Sequence, residues 1–114
     1  MELQQFLDTL ASTPERIDFE TTIAVIEGNY DFTPTAFTNG STENAAGENN
    51  GSCKIFAFGL LHNLEKDATL ACFGRFYRED VLKNPENSDH QNIRNFMVSG
   101  WEGVKFESPA LKAK

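Results

Sequence analysis

The segment Asn49-Asn50-Gly51-Ser52-Cys53-Lys54-Ile55-Phe56-Ala57-Phe58 changes from a polar loop to an apolar helix within about four residues. Gly51 permits a sharp turn, and Ser52 is predicted to cap the helix by accepting a hydrogen bond from a free backbone N–H. Residues 53–63 are apolar on nearly every side, which is typical of a buried central helix. We therefore predict that the rest of the chain packs around this helix.

The remaining patterns predict an α+β fold that is mainly helical, with about five helices and a small antiparallel sheet of two to three strands. Helices are expected over residues 3–10, from Pro14 or Asp18 to Gly28, and over 53–63, 67–83 and 88–99. Asn39-Gly40 indicates a hairpin between residues 35–38 and 41–44. The alternation in residues 104–107 predicts a third strand.

The length of 114 residues predicts one domain over residues 1–114, with residues 108–114 as a flexible tail. The sequence contains no apolar run of about 18 residues, so we predict no transmembrane helix. The first residues lack the basic and apolar parts of a signal peptide, so we expect a cytoplasmic protein.

The charge argues against binding to nucleic acids or anionic membranes. Ten basic and seventeen acidic residues give a net charge of −7, and no local basic patch offsets it. The spacing of Cys53, His62, Cys72 and His90 fits no zinc pattern, so we predict no metal site and no cofactor. Both cysteines are predicted to be free thiols.

The sequence resembles the HopJ type III effector family over about residues 2–107. The segments that resemble it are Tyr30 to Phe37, Asn39-Gly40, Asn49 to Lys54, Leu70 to Gly74, Asp89 to Phe96, and Trp101 followed by Gly103. The resemblance implies a small bacterial protein that is delivered into a host cell by a type III system, where it would meet a host target. It implies no enzymatic activity and no ligand.

Two predicted helix starts, at Ser52 and Ser88, suggest a binding site, since each presents free N–H groups and partial positive charge. If the two helices lie side by side in parallel, both starts face the same direction. We then expect one polar cleft that binds a small anionic ligand or a protein partner. Its residues would be Tyr30, Asn49, Asn50, Ser52, His90 and Arg94. The alternative is two unrelated caps at opposite ends of the molecule.

Cys53 suggests a second hypothesis, a thiol-dependent hydrolase or transferase. A cysteine in the first turn of a helix is favoured as a thiolate, and His90 is the histidine that would act as its base. His62 lies too far along the same helix to reach Cys53. The alternative is a small buried thiol in a helix core, and a structural module without a ligand remains a third reading.

Overall fold

The computed structural model describes residues 2–114 and has the predicted α+β fold, mainly helical. No helix in residues 2–114 is both long and apolar enough to cross a membrane. The helices are α1 (Leu3–Ser12), α2 (Phe19–Asn29), α3 (Asn50–Leu61), α4 (Lys66–Ala71), a π-helix (Phe76–Val81) and α5 (Gln91–Ser99), with 3₁₀ turns at Pro14–Arg16 and Gly100–Gly103.

Two small antiparallel sheets complete the fold. Strands β2 (Phe37–Asn39) and β3 (Thr42–Asn44) form the predicted hairpin, and β4 (Val104–Phe106) pairs with β2 to give the order β3-β2-β4. This confirms the three-stranded sheet. The hairpin turn is Gly40-Ser41, one residue later than predicted, and Gly40 adopts a φ of 62°. The shift leaves Asn39 inside β2, where its side chain is buried.

The C-terminal residues contain a strand, which differs from the prediction of a flexible tail over 108–114. Strand β5 (Leu111–Ala113) pairs with β1 (Tyr30–Phe32) in the second sheet. Ala110 and Leu111 are buried in the core. A three-residue strand with one large apolar side chain has too short a pattern to be recognised in the sequence.

Helix α3 lies at the centre of the core, as predicted. Phe56 is fully buried, and its ring centroid lies 6.0 Å from that of Phe37, 5.6 Å from Phe73 and 4.9 Å from Phe96. The helix is not buried on every side, however. Its last two residues, Leu60 and Leu61, are about half exposed, which places the end of α3 at the surface.

The single helix predicted over residues 67–83 is broken at Gly74, which has a φ of 60°. A Cβ atom at this position would lie 2.4 Å from Asp18 Oδ1, so the chain packs directly against the start of α2. After the break the chain continues as the π-helix. This turn brings Phe76 to Phe19, with ring centroids 5.0 Å apart.

Candidate functional site

The first turns of α3 and α5 meet at one cavity, which we call the cleft. Its volume is about 350 Å³. The hairpin contributes one residue to its lining, and the N-terminus of α2 and the segment around Gly74 contribute an aromatic wall. The lining residues are Phe19, Thr42, Asn49, Gly51, Ser52, Phe73, Phe76, His90, Gln91, Asn92 and Ile93.

Both helices begin after a residue in the left-handed conformation. Asn49 precedes α3 and His90 precedes α5, and each has a φ of 50° and a ψ of 49°. At neither helix start does the side chain of the preceding residue accept a capping hydrogen bond from a backbone N–H. The first N–H groups of a helix have no partner within the helix. The cleft is therefore lined by residues from two helix starts whose N–H groups lack side-chain caps.

Neither of the two predicted caps, Ser52 and Ser88, caps its helix. Helix α3 begins at Asn50, so Ser52 is its third residue, and Ser52 lines the cleft instead of capping the helix. Ser88 precedes α5 and does not line the cleft; its carbonyl oxygen accepts a 2.6 Å hydrogen bond from Gln91 Nε2. Instead, Asn49 and His90, which have left-handed backbone conformations, change the direction of the chain at each helix start. The spacing of the serines does not predict this conformation.

An asparagine network holds the two helix starts against the hairpin. Asn49 Nδ2 donates to Asn44 Oδ1 over 2.7 Å. Asn44 and Asn92 bond each other reciprocally, at 3.2 Å and 3.0 Å. Asn39 Nδ2 donates to the Asn92 carbonyl oxygen over 2.7 Å. Because Asn39, Asn44 and Asn92 are buried, these bonds fix the position of α5 relative to α3.

His90 is held in the cleft by a hydrogen-bonded carboxylate and by an aromatic neighbour. Its Nε2 atom lies 3.0 Å from Asp80 Oδ2. Its ring lies 5.3 Å from the ring of Phe76, with 29° between the two planes. These contacts set the orientation of the imidazole. Sequence reasoning missed Asp80, Phe76 and Phe19 because they belong to other elements and show no local motif.

Arg94 lies outside the cleft, and three of its five N–H donors are already hydrogen-bonded. Its Nη2 donates to Asp89 Oδ1 over 2.6 Å, its Nε to the Asp89 carbonyl oxygen over 2.6 Å, and its Nη1 to the Pro85 carbonyl oxygen over 3.2 Å. The hydrogen bond from Arg94 holds the pKa of Asp89 below its usual value. The guanidinium thus organises the loop before α5 and is not available to an anion in the cleft.

Tyr30 and Asn50 also fall outside the cleft. Tyr30 lies in β1, and its hydroxyl is 2.7 Å from His62 Nε2. Asn50 is exposed at the first position of α3 but does not contribute to the lining. Of the six residues predicted to form the cleft, the structure therefore brings together Asn49, Ser52 and His90.

Cys53 is buried and does not line the cleft. Its Sγ lies 3.6 Å from the carbonyl oxygen of Thr35, and burial raises the pKa of the thiol. Burial also raises the pKa of Cys72, to about 12. Both cysteines are free, as predicted. A nucleophilic thiol needs access to substrate and a lowered pKa, so this environment argues against the thiol-dependent hypothesis.

Comparison with known proteins gives a family and one close structural relative. A family model described as HopJ type III effector protein matches residues 3–111. The crystal structure of the unknown function protein VPA0580 is 79% identical to this chain, with a TM-score of 0.99. The match covers 100% of this chain and 95% of that one. No curated protein matches the chain.

Proposed function

We propose that this chain, which belongs to the HopJ type III effector protein family, binds a small anionic ligand in the cleft between the starts of α3 and α5. The observation that carries the proposal is the convergence of two helix starts without side-chain caps on one cavity of about 350 Å³. Cavities of roughly this volume or larger hold small molecules in other proteins.

The helix starts supply the electrostatic reason for an anion. Each carries the equivalent of about half a positive charge, and its free N–H groups are donors without acceptors. Among residues 2–114, no Lys or Arg lines the cleft, so backbone N–H groups and not cationic side chains would hold the ligand. A carboxylate or phosphate group fits this donor set. The net charge of −7 repels anions from the chain as a whole, so attraction of an anion to the cleft depends on the two helix starts.

The polar side chains of the cleft provide further hydrogen bonds. Ser52 is partly exposed and donates or accepts through its hydroxyl, and Asn49 contributes an amide at the edge. The network beneath them holds Asn92 in place. A site whose donors are positioned before binding loses less entropy when the ligand arrives.

Family membership also supports a proposal about location. A type III effector is made in the bacterial cytoplasm and delivered into a host cell, so the ligand or a protein target would be met in the host. A fusion of the chain to a reporter that is active only inside host cells tests this step. We expect reporter activity that depends on an intact type III system, and its absence would contradict delivery.

Titration of ¹⁵N-labelled protein with inorganic phosphate and with acetate tests binding directly. We expect the largest shifts at the N–H signals of Gly51, Ser52 and Gln91 to Ile93, with sodium chloride at the same ionic strength as the reference. Ser52→Glu places a carboxylate in the cleft and should abolish these shifts. Ser108→Glu adds the same charge at an exposed residue outside the cleft and should leave them unchanged. Shifts spread over the whole surface would contradict the proposal.

A further inference from the structure

Three aromatic rings form a continuous row along the wall of the cleft. The rings of Phe19 and Phe76 lie 5.0 Å apart at 62°, and those of Phe76 and His90 lie 5.3 Å apart at 29°. All three residues line the cleft, and each is only partly buried. The row therefore presents aromatic surface inside a cavity that is otherwise lined mainly by polar groups.

The positions of these rings are fixed by their surroundings. A Cβ atom at Gly51 would lie 2.8 Å from Phe19 Cζ, so the glycine makes room for this ring. Gly74 places Phe76 beside it by its close approach to the start of α2. Asp80 holds the imidazole of His90 at 3.0 Å. The aromatic row is therefore in place before any ligand arrives.

We infer that the ligand of the cleft is a small aromatic anion, with one planar ring and one carboxylate or phosphate group. The inference rests on the proposed function, which accounts for the anionic group. The ring packs against the aromatic row, because aromatic pairs favour stacked or edge-to-face contacts. A volume of about 350 Å³ accommodates one ring and one charged group. Aromatic carboxylates and aryl phosphates share this chemistry.

Four probes test the contributions of the aromatic ring and of the anionic group separately: acetate, benzoate, inorganic phosphate and phenyl phosphate. Dissociation constants are measured by titration of ¹⁵N-labelled protein. We expect benzoate to bind about five- to tenfold more tightly than acetate, and phenyl phosphate to exceed phosphate by a similar factor, from one added aromatic contact. The tighter of the two aromatic probes identifies whether the site favours a carboxylate or a phosphate.

Substitution of Phe76 tests where the ring binds. Phe76→Leu keeps an apolar side chain but removes the central ring of the row. We expect this variant to lose the advantage of phenyl phosphate over phosphate. Phe106→Leu is the matched control, because Phe106 is also partly buried but lies outside the cleft. It should retain the advantage.

Asp80→Asn provides a second variant in case Phe76→Leu does not fold. Asp80 is about half exposed, so its substitution spares the core while it weakens the hold on the His90 ring. We expect a smaller advantage of phenyl phosphate over phosphate. If phosphate and acetate bind but the aromatic probes bind no better, the aromatic inference is wrong and the proposed function stands. If no anion binds, both are wrong.

Discussion

Gly74 lies so close to Phe19 that a Cβ atom on the glycine would sit 2.5 Å from the Phe19 backbone nitrogen. The contact joins the break after α4 to the first residue of α2. Asp18 strengthens it, since its Oδ1 accepts hydrogen bonds from the backbone N–H groups of Phe19 and Arg75. These hydrogen bonds hold the pKa of Asp18 below its usual value. The aromatic wall of the cleft depends on this junction.

Gly74→Ala is expected to lower the free energy of unfolding by about 2–4 kcal/mol, because it combines a left-handed backbone with a steric clash against backbone atoms. Gly28→Ala is the matched control. Gly28 lies inside α2 without a positive φ, and a Cβ there meets no atom within 4 Å. It should raise stability by up to about 1 kcal/mol. Urea unfolding of both variants measures the difference, and equal effects would contradict the assigned contact.

Asn44→Ala is expected to cost about 2–3 kcal/mol, because it leaves the buried amide of Asn92 without its reciprocal partner. It also removes the acceptor of Asn49, so amide hydrogen exchange should accelerate at both helix starts. Asn50→Ala serves as the control, since Asn50 is exposed, and should change stability by less than about 0.5 kcal/mol. The N–H groups of Cys53 and Arg94 donate to the carbonyl oxygens of Asn49 and His90. Unchanged exchange at Cys53 and Arg94 in Asn44→Ala would show that the network does not hold the cleft.

Stability is expected to fall as pH is lowered through the histidine range, because burial lowers the pKa of His62 in the folded protein. Between the folded and unfolded pKa values the unfolded chain binds more protons, so acid favours unfolding. The loss begins near pH 6.5, about the unfolded value, and stops growing below the folded value. His62→Gln should reduce the slope of stability against pH. An identical slope in this variant would assign the effect to other groups.

Both thiols are expected to resist alkylation in the native protein at neutral pH. Burial raises the pKa of Cys53 and that of Cys72, and neither side chain is accessible. Iodoacetamide should label both cysteines fully in denaturant, and only at the rate of opening in the folded protein. Mass spectrometry follows the labelling. Rapid modification of Cys53 in the folded state would restore the thiol-dependent hypothesis.

Local patterns in the sequence were sufficient for most elements. The apolar stripe of α1, the Asp18 cap of α2, the Asn39-Gly40 hairpin and the alternation of β4 each depend on residues within one or two turns or strands. The same local information predicted two polar helix starts, but it placed them at Ser52 and Ser88, whereas the helices begin after Asn49 and His90. Secondary structure of this kind follows from periodicity and capping, which a single sequence displays directly.

Only the tertiary structure decided which side chains share the cleft. Gly74 broke a regular helical pattern because it packs against α2, and this contact brought Phe76 to Phe19 from 57 residues away along the chain. Arg94 carried the expected charge but is occupied by Asp89. Such outcomes depend on long-range packing and on competition between partners for the same donor. The periodicity of the sequence predicts neither the packing nor the competition, because it shows which face of an element is buried and not which element packs against that face.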